Sequence, residues 1–365
     1  MKTFFDQLQI NSKEISNRFL VAPMSRVSAD ADGVPTLEMY DYYTAFATGG
    51  FGGIITEGLY TDELYSRSYP NQPGIVSPAQ VEAWSRINKT IHHNKALVIA
   101  QLMHAGAISQ ALADTVAPSA LQPLGMKLPA YGGSGAFAPA RAMTLKDIED
   151  VIEGYIQSAR NASDAGFDGV ELHGANGYLL DQFLTPYLNQ RTDAYGGSIK
   201  NALRIVAQIV EGIKAAVPAN FIIGLRISEG KVNNLDYRWE QGSITAKALL
   251  AEIRHIPIDY LHIAAEHKGW LEETLYADGS SLSGLARAIL NCPVIANGKL
   301  HDLALADKLL QTGQADLFAI GKMAIANPDF VHRVRHNLAL TPFRKEMLYP
   351  DPTLWAGTTV NATPA

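Results

Sequence analysis

Runs rich in β-branched and apolar residues return eight times along the chain, each ending in small or polar residues. They are Phe19–Met24, Gly53–Glu57, Leu97–His104, Gly169–His173, Ile222–Ser228, Tyr260–Ala264, Pro293–Gly298 and Leu317–Lys322. Their near-continuous apolar character, in place of strict alternation, marks strands buried on both faces. Segments of helical period lie between them. Ser77–His93 opens with Ser-Pro, an N-cap and a first helical residue, and spaces Val81, Trp84 and Ile87 three apart. Thr144–Ala165 opens with Thr144 and Asp147 as a capping box and carries Ile148, Val151, Ile152 and Tyr155 as its stripe. Eight such alternations without a linker predict one closed (β/α)8 TIM barrel, an α/β fold. A doubly wound sheet is the competing topology, but no G-x-G-x-x-G follows the first strand.

The barrel is expected over residues ~19–340 of a single domain, with a C-terminal tail over ~341–365. Residues ~4–17 read as a hairpin, since Leu8 and Ile10 alternate and Asn11-Ser-Lys is turn-like. A barrel needs its lower mouth plugged, and this hairpin is the candidate plug. Ala105–Ala142 is the longest irregular insertion and follows the third strand. Loops of that length serve as lids or are disordered, and this one is placed to hang over the active face.

Bulk properties then narrow the function. The 365 residues are 47% hydrophobic and 18% charged, with a formal net charge of −6, so no basic excess draws nucleic acid or an anionic membrane. The start, MKTFFDQLQINSKE, lacks the apolar core of a signal peptide. The single cysteine, Cys292, forms no internal disulfide and excludes a four-cysteine iron–sulfur cluster. A cytoplasmic location follows as the expectation. No metal site is expected, because the two-His-plus-carboxylate and cysteine spacings are missing.

In such barrels the residues after each strand build the active face. Residues Gly166 to Ser198, GFDGVELHGANGYLLDQFLTPYLNQRTDAYGGS, are the most informative of these. Here a short strand runs into His173, Asn176 and Tyr178, two N–H donors and a phenol that together can hold an oxygen and supply a proton. A strand, loop and helix with incidental polar residues is the competing reading. The seventh and eighth strands end in Ala-Asn297-Gly298-Lys and Ile-Gly321-Lys322, where glycine-bared amides and lysines suit a phosphate. Ser25, Gln101 and Arg226 at other strand ends are donors for a flat heterocycle with carbonyl oxygens. Arg226 is also open to a barrel-core ion pair, and His104 to a role in shaping the third loop. His262 reads as a satisfied core histidine, and His92 and His93 as solvated. Glu266 and His267 fall where they can edge the pocket; Glu57 is open between a structural role and one near a ligand.

Collinear motifs over residues ~20 to ~330 resemble the Old Yellow Enzyme family. They are Ala22-Pro-Met-Ser-Arg26, Thr56-Glu-Gly58, Tyr69-Pro-Asn-Gln-Pro-Gly74 and Ala100-Gln-Leu-Met-His-Ala-Gly106, then His173-Gly-Ala-Asn-Gly-Tyr-Leu-Leu-Asp-Gln-Phe-Leu184, Arg191-Thr-Asp-Ala-Tyr-Gly-Gly197 and Gly321-Lys-Met-Ala-Ile-Ala-Asn-Pro328. The resemblance implies non-covalent FMN in a (β/α)8 barrel and reduction of activated C=C bonds in enones and nitroalkenes, with NADPH or NADH as reductant. It places Gln101 and Arg226 on the flavin ring and Ser25 near its C4 carbonyl and N5. Pro23, Met24 and Gly58 join these as expected cofactor-binding residues, with Asn297, Gly298, Gly321 and Lys322 expected at the phosphate. It makes His173 and Asn176 the clamp on the substrate oxygen, Tyr178 the proton donor, and Tyr69 and Trp355 pocket residues. Three positions depart from the family pattern. Ser25 stands for the usual Thr or Cys, Lys322 for an Arg, and Ala107 for a frequent Arg.

An FMN-dependent isomerase or dehydrogenase acting on an enone-type intermediate is the alternative activity. A flavin-free hydrolase or lyase is disfavoured by the missing carboxylate pair, and a non-enzymatic flavin binder has no use for His173, Asn176 and Tyr178 together. The physiological substrate, the choice of reductant, and monomer or homodimer stay open.

Overall fold

A computed structural model describes residues 2–348 and 352–354. All eight strands form where the apolar runs fall. They are β1 (Phe19–Val21), β2 (Gly53–Tyr60), β3 (Leu97–Met103), β4 (Gly169–Asn176), β5 (Ile222–Lys231), β6 (Tyr260–Ile263), β7 (Val294–Asn297) and β8 (Leu317–Ile320). Each pairs in parallel with its sequence neighbours, and β8 pairs with β1, so the sheet closes into a barrel. The main helices packed outside it are α1 (Leu37–Thr48), α2 (Pro78–His93), α3 (Leu145–Asp164), α4 (Arg204–Ala216), α5 (Ser243–Ile253), α6 (Leu282–Ile289) and α7 (Leu303–Gln311). Ser77 and Thr144 each close a capping box, so both helices begin where the sequence places their starts.

Strand ends depart from the hydrophobic runs. β1 stops at Val21, three residues before Met24, whereas β4 and β5 run on to Asn176 and Lys231. The extension exists because Asn176 pairs with Lys231 across a register shift. Asn176 therefore belongs to the strand with His173, not to the loop after it.

The N-terminal residues form the expected hairpin, Leu8–Ile10 against Lys13–Ile15. Ile10 and Ile15 pack into a cluster with Leu20, Ile55, Ile99, Ile222, Ile295 and Leu317, which fills the lower mouth of the barrel. The insertion after β3 is folded: Val116–Ala117 pairs with Arg141–Ala142, and a short 3-10 turn spans Pro129–Tyr131. Among the described residues no helix is long and apolar enough to cross a membrane.

Candidate active site

The carboxyl ends of β3 to β6 carry a polar layer inside the barrel. His173, Arg226 and His262 pair in one row across β4, β5 and β6, and Gln101 pairs with Glu171 one step below. Glu171 is fully buried. It accepts from Gln101 Nε2 (2.8 Å) and the Tyr260 hydroxyl (3.0 Å) and contacts His262 Nδ1 (2.9 Å). Burial opposes its charge, yet His262, Arg226 and Gln101 hold its carboxyl below the ordinary range. His262 is thus a partnered core histidine, as its place within a strand suggests.

Above that layer the end of β4 turns sharply. Asn176 adopts φ 62° and Gly177 φ 88°, two left-handed residues in succession. Gly177 is needed there, since a Cβ would come within 2.7 Å of Asn233 Oδ1 in addition to the strained φ. Three hydrogen bonds fix the turn: Asn176 N donates to Ser228 Oγ (2.8 Å), Gly177 N to Asp181 Oδ2 (2.6 Å), and Leu179 N to the His104 carbonyl (2.9 Å). Asp181 is itself held by Lys231 Nζ at 2.7 Å, both side chains being at most 2% exposed. His104 accepts from Gly106 N (3.0 Å) and so shapes the third loop, as the sequence allows.

The turn brings the three expected residues together. The His173 and Tyr178 rings lie 4.8 Å apart, and both residues are buried with Asn176. Burial, reinforced by the charges of Arg226 and His262, keeps the His173 imidazole well below its ordinary pKa and hence neutral. Burial also raises the Tyr178 phenol above its ordinary value. Its hydroxyl lies 2.7 Å from that of Tyr69. Tyr131 of the insertion stacks on Tyr69, with centroids 4.3 Å apart, and donates to the Ser25 carbonyl (3.4 Å). The insertion therefore does cover this end of the barrel.

Glu57, open in the sequence, is buried. Its Oε2 accepts from the backbone of Arg26 (2.9 Å) and Val27 (3.0 Å), which anchors the segment carrying Pro23, Met24 and Ser25. Burial raises its carboxyl to about 7. Arg26 and Ser28 in turn bind Pro352 and Leu354, so the described part of the tail lies against the same segment. Trp355 lies outside the described residues. Gly58 packs against Met103, and its carbonyl accepts from Gln72 Nε2 (2.7 Å). His92, expected in solvent, contacts Asp168 at 2.9 Å while remaining 40% exposed.

Arg226 pairs with Glu266, which is 42% exposed, so its partner is a pocket-edge group and not a core carboxylate. Glu266 also accepts from Asn176 Nδ2 (3.2 Å). At the other side, Asn297 donates to the Ala319 carbonyl (3.0 Å), Gly298 takes φ 111°, and Gly321 faces Met24 beside the exposed Lys322. His173 Nδ1, Arg226 Nε and Asn297 Oδ1 are buried without a hydrogen-bond partner among the described residues. An unsatisfied buried polar atom costs ~1–3 kcal/mol, so such atoms at strand ends fit a polar ligand that completes them. Donors at Gln101 and Arg226, with a glycine- and lysine-bearing edge at β7 and β8, suit a flavin mononucleotide.

A parallel barrel with this donor row, this phenol pair and this lid fits a flavin oxidoreductase. Residues 3–341 match the model of the NADH:flavin oxidoreductase / NADH oxidase family, and the chain belongs to that FMN-dependent family, the Old Yellow Enzymes. It is 32% identical to a flavin oxidoreductase of Emericella nidulans, covering 96% of this chain and 94% of the relative. It is also 32% identical to a probable flavin mononucleotide-dependent alkene reductase of Leishmania infantum, with 94% and 92% covered. Among solved structures, the old yellow enzyme homologue from Zymomonas mobilis superposes with a TM-score of 0.85 at 30% identity, over 96% of this chain and 97% of that one. Morphinone reductase in complex with tetrahydroNAD gives 0.80 at 30% identity, over 93% and 92%.

Sequence reasoning missed Tyr131 and the double contact of Glu266. Tyr131 sits in an aperiodic, glycine-rich loop with no local signal, and Glu266 was visible only as a pocket-edge residue.

Proposed function

We propose that the protein is an NAD(P)H-dependent ene-reductase that reduces activated C=C bonds of α,β-unsaturated carbonyls and nitroalkenes, with NAD(P)H and alkene using one pocket by turns. The observation that carries this reading is the buried grouping of His173, Asn176 and Tyr178 at the end of β4. The alkene reductase and morphinone reductase relatives support it. Gln101, Arg226, Ser25, Pro23, Met24 and Gly58 would hold the ring of non-covalent FMN, and Asn297, Gly298, Gly321 and Lys322 its phosphate. Bound FMN, reduced by NADPH or NADH, supplies a hydride. His173 and Asn176 donate to the carbonyl or nitro oxygen and draw electron density from the alkene. Loss of one such fixed donor typically costs ~2.7–4 kcal/mol of barrier. As the β-carbon accepts the hydride, the Tyr178 hydroxyl delivers its proton to the α-carbon. Its raised pKa keeps that proton in place across the neutral range. Tyr69, hydrogen-bonded to Tyr178, lines the pocket and fixes the phenol's orientation. Trp355 is assigned to the pocket from the resemblance alone. The small-molecule substrate is met in the cytoplasm.

The purified protein should be yellow, bleach with NADPH or NADH, and regain colour with cyclohexenone. His173→Ala and Asn176→Ala should slow reoxidation by the enone roughly 10²–10³-fold while flavin reduction changes far less. A colourless protein that takes up no FMN would overturn the reading.

A further inference from the structure

We infer that Glu266 makes this pocket select ligands that carry an N–H beside the activating carbonyl, the edge of an amide or imide. The inference rests on the assignment of Asn176 as an oxygen clamp. Asn176 Nδ2 donates to Glu266 Oε2 at 3.2 Å, and Glu266 Oε1 takes Arg226 Nη2. Arg226 is 1% exposed and Glu266 42%, so the carboxylate reaches the buried guanidinium and the Asn176 amide from the solvent side. Burial is the main reason the phenols of Tyr69 and Tyr178 are raised, and the nearby Glu266 charge adds a lesser push in the same direction.

The clamp is thus a donor, Asn176 Nδ2, with a charged acceptor, Glu266 Oε2, beside it. Arg226 offsets the charge of one carboxylate oxygen and leaves the other toward Asn176. In the inferred pose, a carbonyl oxygen seated on His173 and Asn176 has its neighbouring substituent on the Asn176 side, beside that carboxylate oxygen. An N–H there forms a charge-assisted hydrogen bond, about twice as strong as a neutral one. A methyl group desolvates the carboxylate without a partner, and a second carboxylate is repelled. An unsaturated imide meets the requirement. Maleimide would take a hydride on one alkene carbon and the Tyr178 proton on the other, giving succinimide as NAD(P)H is oxidised to NAD(P)⁺. The carboxamide of the nicotinamide ring presents the same edge, so the reductant shares the preference.

The test uses the FMN-loaded enzyme with maleimide and N-methylmaleimide, whose thiol reactivity is similar and cancels in the ratio. The wild-type kcat/KM should favour maleimide about tenfold or more, the weight of one charge-assisted hydrogen bond. The ratio should fall toward one in Glu266→Ala and lie between in Glu266→Gln. Binding gives a second readout that does not depend on turnover or on the variants. Succinimide should perturb the oxidised wild-type flavin spectrum at about tenfold lower concentration than N-methylsuccinimide. Equal ratios in wild type and Glu266→Ala, or equal binding of the two succinimides, would overturn the inference while cyclohexenone reduction still upheld the ene-reductase reading. A loaded wild-type enzyme that reduces neither cyclohexenone nor maleimide would overturn both.

Discussion

The two mouths of the barrel are made of the same eight strands and differ in what they leave unfinished. At the lower mouth, Ile10 and Ile15 of the hairpin close an aliphatic cluster, and the rim carboxylate of Asp168 takes Lys13 at 2.8 Å, His92 at 2.9 Å and the Val98 amide at 2.9 Å, with Arg18 Nε left buried without a partner on that side among the described residues. At the upper mouth, His173 Nδ1, Arg226 Nε and Asn297 Oδ1 are buried without partners among the described residues. Burying polar atoms this way is unfavourable, and a fold that needed only stability would have placed apolar side chains there. The lower mouth holds the barrel shut, and the upper mouth is prepared to receive a ligand. Substitutions at the two ends should therefore separate chemistry from stability.

The largest effect should fall at Tyr178. Tyr178→Phe keeps the ring against His173 and removes its dissociable proton. Reoxidation by cyclohexenone should slow ~10²–10⁴-fold, the usual contribution of a positioned general acid, with flavin reduction nearly unchanged. Nitroalkenes should suffer less, because a nitronate is stable enough to leave and be protonated in water. Stopped-flow measurement of both half-reactions checks this, and equal slowing of the two would make Tyr178 a structural residue. The matching change at the lower mouth is Ile15→Ala, at a side chain with no exposure. It should cost ~2–5 kcal/mol of stability by leaving a cavity, seen as a lower unfolding midpoint in urea. FMN affinity should stay as it is. A linked loss of flavin would show that the two ends are coupled, against the comparison.

The barrel was legible because strands buried on both faces read as apolar runs, and capped helices such as those after Ser77 and Thr144 punctuate them. Strand ends were not, because ladder pairing sets them: Asn176 is in β4 through its pairing with Lys231, not through hydrophobicity. His173, Asn176, Tyr178, Gln101 and Arg226 were legible as candidates because each stands in the carboxyl-terminal half of an apolar run or just after it, where a barrel concentrates its chemistry. What escaped depends on contacts distant in sequence. Tyr131 reaches Tyr69 from a loop without period, and Glu57 works through the backbone amides of Arg26 and Val27, which no side-chain pattern announces. His92 read as solvated because its partner Asp168 is 76 residues away.

A smaller effect is expected at Lys322, an exposed residue just after β8. Lys322→Ala should weaken FMN binding by ~1.5–3 kcal/mol, the weight of one charge-assisted hydrogen bond to the phosphate. Fluorescence titration of flavin-free protein measures it. Lys322→Arg should bind at least as tightly, since a guanidinium grips two phosphate oxygens where an ammonium acts as a point charge. Unchanged affinity in Lys322→Ala would move the phosphate site away from β8.

The smallest effect should come from Tyr69, and it sharpens the division of labour at the upper mouth. The Tyr69 and Tyr178 hydroxyls lie 2.7 Å apart, and either can donate. If Tyr178 gives the proton to substrate, Tyr69 is its orienting neighbour, held in turn by the stacked ring of Tyr131. Tyr69→Phe then removes one neutral hydrogen bond, worth ~0.5–1.5 kcal/mol, and leaves the packing intact. Reoxidation by cyclohexenone should slow only a few-fold to about tenfold, with no change in flavin reduction or FMN affinity. Combining the change with Tyr178→Phe should add almost nothing, because the bond is already broken once the Tyr178 hydroxyl is gone. If Tyr69→Phe instead slows the enone step as far as Tyr178→Phe does, the proton passes through both phenols, and the pair acts as one relay.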